Sequence, residues 1–267
     1  MMAKGIGGIA AFKAEGSGPL LLFLHGIGGN RNLFDPQLAH FGARGWRAMA
    51  WDGPGYGDSP APPRFDWADL AAAVPRLLDS LKVAQAVLVG HSMGGMLAQE
   101  VAARHGDRLR ALVLSGTSPS FGPATGDWQA KFLAERLAPL DAGRSMADLA
   151  PDLMRNMVAP GADPAAAAVA TAAMAAVPEA TYRGMLAALA AFDRRDALAA
   201  LSMPVLLLAG SADRVAPPVV MKRMAAAIPG SRYQVIEGAG HIANLERPAA
   251  FNAALESFLA GLPPDRR

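Results

Sequence analysis

The segment Gly90-His91-Ser92-Met93-Gly94 sets a serine between glycines placed two positions before and two positions after it. A serine hydroxyl is a weak nucleophile unaided. Small residues at this spacing suit a sharp strand-to-helix turn that exposes the hydroxyl and lets strand and helix pack closely. The chemistry such a serine suits is attack on a carbonyl carbon, followed by acyl transfer. N–H groups opening the next helix would face the oxyanion formed in that attack, with Met93 as one donor. A second donor is expected from His25-Gly26-Ile27-Gly28-Gly29, at the Ile27 N–H.

A serine nucleophile needs a base, and His241 in Gly238-Ala239-Gly240-His241 is the best placed of the five histidines. It follows an apolar run in a glycine-rich loop, within reach of a sheet edge. His25 belongs to the loop assigned above, and His91 adjoins the serine and is expected to point elsewhere. His40 and His105 fall near helix ends among polar neighbours. The histidine in turn needs a carboxylate to fix its tautomer. Asp213 in Gly210-Ser211-Ala212-Asp213 supplies it, giving the order Ser, Asp, His along the chain. Asp52 precedes the serine and opens Asp52-Gly53-Pro54-Gly55-Tyr56-Gly57, so it is read as shaping a turn.

Stepping outward, these residues sit at the ends of short apolar runs at 20–24, 46–51, 86–89, 109–114, 205–209 and 233–236. Continuous apolarity of this kind marks strands buried on both faces of a parallel sheet. Helical patterns at 32–43, 67–81, 93–104, 218–227 and 248–259 alternate with them. The expected fold is therefore α/β: a doubly wound, mostly parallel sheet, with ligands at the strands' carboxyl ends. Between 119 and 200 the alternation stops, and Ala, Met, Leu and Arg recur at helical spacing. This stretch is read as an inserted cap of several short helices, broken by Pro and Gly, with 1–118 and 201–267 forming the core.

Composition excludes several classes. The 267 residues carry 25 Lys plus Arg against 23 Asp plus Glu, a net charge of +2 that provides no field for nucleic acid. Cysteine is absent, which removes disulfides and thiolate metal sites. No apolar signal core is read near the start, so a cytoplasmic protein is expected. The alanine-rich run at 165–177 is shorter than the roughly 18 residues needed to span lipid, so no membrane partner is expected. The pattern starting at Gly5 matches G-x-G-x-x-A without room for a preceding strand, and Arg31 stands where the third glycine of the Gly26 loop would be. Both fail as dinucleotide fingerprints. The tail from Pro263 is expected to fray.

His25-Gly26, Asp52-Gly53-Pro54-Gly55-Tyr56-Gly57-Asp58-Ser59, Gly90 to Gly95, Gly210 to Asp213 and Gly240-His241 together resemble the α/β-hydrolase superfamily. Through Gly240-His241-Ile242-Ala243-Asn244-Leu245-Glu246-Arg247-Pro248 the chain is most similar to 3-oxoadipate enol-lactonases and related carboxylesterases. The resemblance implies hydrolysis of a small ester or lactone without metal or cofactor. Dehalogenases and epoxide hydrolases of this kind carry aspartate where Ser92 stands. Carbon–carbon hydrolases tend to have Asn and Trp where His91 and Ile242 stand, and they form the runner-up class. A ligand-sensing relative is the non-enzymatic alternative, and a homo-oligomer is left open. Substrate shape is expected from Phe34, Met93, Trp128, Val215 and Ile242. Arg31, Arg155, Arg183 and Arg194-Arg195 are candidates for a substrate carboxylate.

Overall fold

The computed structural model describes residues 2–3, 10–123 and 125–263. The Gly5 pattern, apart from Ala10, and the tail beyond Pro263 lie outside the described residues. The sheet has eight strands: β1 (Met2–Ala3), β2 (Phe12–Glu15), β3 (Leu20–Leu24), β4 (Arg47–Trp51), β5 (Ala86–His91), β6 (Leu109–Ser115), β7 (Val205–Gly210) and β8 (Arg232–Ile236). Their order is β1-β2-β4-β3-β5-β6-β7-β8. From β4 to β8 every pairing is parallel, while β1 and β2 join antiparallel at one edge. The doubly wound expectation holds for the parallel strands. β2 gives no continuous apolar run because only Phe12 of Phe12-Lys13-Ala14-Glu15 is fully buried.

Helices cover both faces. On one lie α2 (Trp67–Ser80), α3 (Met93–His105) and α8 (Pro218–Ala226), packed on Leu22, Leu88, Leu112 and Leu207. On the other lie α1 (Asp35–Gly42) and α9 (Pro248–Ala260), packed on Phe23, Val89, Val113 and Leu208. Alternate residues of each central strand feed opposite clusters, as a period of two requires. The helix expected at 32–43 is split: a 3₁₀ turn, Arg31–Phe34, leads into α1. Pro36 lies in the first turn of α1, where its missing N–H costs nothing.

Between β6 and β7 the chain leaves the sheet in a helical insertion: α4 (Trp128–Asp141), α5 (Met146–Arg155), α6 (Pro164–Ala175) and α7 (Glu179–Ala190). Ser145 and Asp148 form a reciprocal cap at the start of α5. Gly143 and Gly161, both at positive φ, lie between consecutive helices. The two ends of the insertion meet. Ser120 bridges Asp193, the Phe121 N–H donates to the Phe192 carbonyl at 3.0 Å, and the Arg194 N–H donates to the Pro119 carbonyl at 2.7 Å. No helix among the described residues is long and apolar enough to cross a membrane.

Candidate active site

The sheet reverses its winding between β3 and β5, which lie side by side with Leu24 opposite Gly90. A crevice opens at such a switch point because the two following loops diverge to opposite faces. Here those loops are Gly26–Gly29 after β3 and the Ser92 turn before α3. The loops after β6, β7 and β8 line up along the same edge.

Ser92 has φ 53° and ψ −122°, a left-handed conformation that strains any residue with a Cβ. The neighbours hold it there. A Cβ on Gly90 would lie 2.4 Å from the Gly94 carbonyl oxygen, and one on Gly94 would lie 2.3 Å from the Leu24 oxygen. Glycine at both positions is thus a steric requirement for strand and helix to approach. The Ser92 N–H donates to the Ser115 carbonyl at 2.9 Å, and the Thr117 hydroxyl donates to the Ser92 carbonyl at 2.7 Å. The end of β6 and the loop after it therefore clamp the turn on both sides. Thr117 was not anticipated, since its partner lies 25 residues away.

His241 Nε2 lies 2.9 Å from Ser92 Oγ, and His241 Nδ1 lies 2.9 Å from Asp213 Oδ2. A carboxylate can only accept, so Nδ1 carries the proton and Nε2 is left to accept from the serine. The other oxygen, Asp213 Oδ1, accepts the Val215 and Ala216 N–H groups at 2.8 and 2.9 Å. Burial pushes the Asp213 pKa up. The facing His241 and the hydrogen bonds from His241, Ala216 and Val215 outweigh that, and the carboxyl ends below its ordinary value. A hydroxyl, an imidazole and a buried carboxylate in this order can move a proton from the serine to the histidine and stabilise the resulting imidazolium.

His91 does not point away. Its ring lies 4.9 Å from that of His241, and its pKa is lowered to about 3, chiefly by burial and then by repulsion from His241. It stays neutral beside His241. His25 is neutral as well: Nδ1 donates to the Gly26 carbonyl at 2.8 Å while Nε2 accepts the Gly53 N–H at 2.9 Å. That pair ties the Gly26 loop to the turn after β4. Asp52 shapes this turn as expected, accepting from the Arg31 N–H and guanidinium.

The N–H groups of Ile27 and Met93 have no acceptor among the described residues, and both residues line the space above Ser92. Two hollows meet at Ser92 and His241. The smaller, about 30 Å³, is walled by Leu33, His91, Met154 and Ile242. The larger, about 170 Å³, runs under the cap between Met93, Phe121, Phe132, Leu186 and Val215.

Of the expected contact residues, Met93, Val215 and Ile242 line these hollows, whereas Phe34 and Trp128 do not. Phe34 is buried below the sheet edge with its ring 5.0 Å from Phe23, and its neighbour Leu33 faces the hollow instead. Trp128 is 42% exposed and stacks outside Phe121 and Phe132, the two rings that form the wall. The candidate arginines are engaged elsewhere: Arg31 with Asp52 and Asp58, Arg155 with Asp152, Arg183 with Asp141 and Glu179, Arg194 with Glu100, Arg195 with Asp193.

The loop carrying His241 rests on a carboxylate given no role at the outset. Glu246 is buried, and it accepts the Ile242 N–H at 3.0 Å, the Gly240 N–H at 3.0 Å and the Ala159 N–H at 2.7 Å. Ala159 belongs to the cap, and the His241 N–H donates to the cap's Met157 carbonyl at 2.7 Å. Glu246 thus joins the His241 loop to the insertion. Among the described residues no cluster of three or more His, Asp or Glu is arranged to hold a metal ion.

The family described as alpha/beta hydrolase fold matches residues 19–248. The chain is 32% identical to a pimeloyl-[acyl-carrier protein] methyl ester esterase of Neisseria meningitidis, over 91% of this chain and 81% of that protein. It is 30% identical to 3-oxoadipate enol-lactonase 2 of Acinetobacter baylyi, over 90% and 88%. The solved structure of a hydrolase from Pseudomonas aeruginosa PA01 superposes with a TM-score of 0.86 at 31% identity, covering 98% of each chain.

Proposed function

Because the chain belongs to the α/β-hydrolase fold family, we propose that it hydrolyses a small carboxylic ester or lactone through a covalent acyl-enzyme on Ser92. The observation that carries this reading is the unbroken hydrogen-bonded row Ser92–His241–Asp213, with both links at 2.9 Å. The relatives named as a methyl ester esterase and an enol-lactonase support the ester and lactone classes.

In the proposed cycle His241 Nε2 takes the Ser92 proton as Oγ bonds to the carbonyl carbon. The oxyanion is held by the Met93 and Ile27 N–H groups. His241 then donates its proton to the leaving oxygen as the carbon–oxygen bond breaks. Water repeats the sequence on the acyl-enzyme, releasing the acid and restoring Ser92. Asp213, unprotonated throughout, keeps the imidazole oriented and stabilises its cation. The cap, taken as residues 119–200, covers the substrate during these steps.

A panel of short-chain esters and lactones tests this directly. Wild type is expected to release nitrophenol from a short acyl ester, and Ser92→Ala to lose that turnover while keeping the wild-type circular dichroism. Turnover retained in Ser92→Ala would sink the proposal, as would a wild type inert on the whole panel.

A further inference from the structure

The larger hollow holds one side chain of permanent charge, and none of the arginines considered from the sequence provides it. Arg136, on α4, lines this hollow with Tyr182 of α7. Its guanidinium carbon sits 5.3 Å from the Phe132 ring centroid, with no carboxylate in ion-pair range among the described residues. The five arginines considered from the sequence each have such a partner. Tyr182 is 3% exposed, and its hydroxyl has no hydrogen-bond partner among the described residues. Burial pushes the Tyr182 phenol up and the charge of Arg136, on the same hollow, opposes this.

Guanidinium presents planar paired donors that match the two oxygens of a carboxylate, and an apolar wall screens that attraction less than water does. Met93, Met96, Leu153 and Leu189 make up much of this wall. We infer that Arg136, assisted by the Tyr182 hydroxyl, anchors a carboxylate on the acyl part of the substrate. The substrate class is then a monoester of a dicarboxylic acid, or a lactone bearing a carboxylate. The acyl part is assigned to the larger hollow, about 170 Å³ against about 30 Å³, because Arg136 and Tyr182 line that one alone. This inference rests on the Ser92 hydrolase reading.

The test compares monomethyl adipate with methyl hexanoate, which has the same acyl length without the charge, by methanol release. In Arg136→Met the kcat/KM for the monoester should fall about 10- to 100-fold, mostly through KM, as expected for lost charge-assisted hydrogen bonds. That for methyl hexanoate should change less than about threefold. Arg136→Lys should fall between, and Tyr182→Phe should show a smaller loss confined to the charged ester. Added salt should raise KM for monomethyl adipate alone, a readout on wild type that stands even if Arg136→Met fails to fold. Equal losses on both esters, or no loss on either, would assign Arg136 to packing on Phe132 and overturn the inference. Wild-type turnover of methyl hexanoate without monomethyl adipate would overturn it while leaving the esterase reading intact. Turnover of neither ester would remove both.

Discussion

The two walls of the site are built by different means. On the sheet side Ser92, Asp213 and His241 stand on turns that follow β5, β7 and β8, and backbone groups fix each of them: the Ser115 and Thr117 contacts for the serine, the Val215 and Ala216 N–H groups for the aspartate, and Glu246 beneath the histidine. On the cap side Phe132, Leu153, Met174 and Leu186 present apolar surface from helices and Phe121 from the loop before them, with few directional bonds to fix their rotamers. Hydrogen-bonded turns specify positions to a fraction of an ångström, whereas apolar walls specify volume and tolerate repacking. A reaction can therefore stay fixed on one side while its substrate changes on the other.

The contrast breaks if sheet-side changes act weakly or cap-side changes act strongly. The largest effect is expected from Asp213→Asn, which leaves the shape but favours the wrong His241 tautomer. A fall of roughly ten-thousandfold in kcat is expected from steady-state kinetics on a reactive ester, with KM little changed. A loss under about tenfold would detach Asp213 from the mechanism.

Glu246→Gln comes next, because it turns an acceptor of three N–H groups into a mixed donor and acceptor. Urea unfolding should show a loss of about 2 kcal/mol, with kcat about tenfold lower as the His241 loop loosens. Lower stability with unchanged kcat would make Glu246 purely structural.

His91 supplies a smaller, pH-dependent effect. Its imidazole titrates near 6.5 when unfolded and near 3 when folded, so between those values the unfolded chain binds the extra proton. Its contribution is fully present above pH 6.5 and is lost as pH falls toward 3, by about 1.4 kcal/mol per pH unit at most. Denaturant unfolding across that window should show a shallower decline in His91→Asn than in wild type. Parallel declines would contradict the assignment.

The smallest effects belong to the cap. Leu153→Ala should raise KM a few-fold, about 1 kcal/mol, at constant kcat. Trp128→Ala should alter KM by less than about twofold, since that indole stacks outside the wall.

These differences also explain what could be read from the sequence. The apolar runs of β3 to β7 are visible because a strand covered on both faces leaves little choice of residue, and Ser92 and Asp213 are visible because each follows such a run; His241 follows β8, an edge strand with only Ile236 fully buried, and is visible through its glycine-rich loop. β2 was missed because one exposed face gave it Lys13 and Glu15. Phe34 and Leu33 are adjacent and equally apolar, and only the 3₁₀ turn decides which of them faces the hollow. Arg194 and Arg136 look alike in sequence. The first is neutralised by Glu100, 94 residues away, and no local pattern reports such a partner.

The pairing of Ser120 with Asp193 has a consequence for inheritance. Because the insertion leaves and re-enters the sheet at neighbouring points, closing it costs little chain entropy, and that cost grows only logarithmically with length. The four cap helices can be lengthened, shortened or exchanged as a cassette without altering the register of β6 against β7. A graft cut at residues 119 and 194 would carry a new wall onto an unchanged Ser92–His241–Asp213 edge, which makes the neck of the insertion the natural seam for recombining specificities.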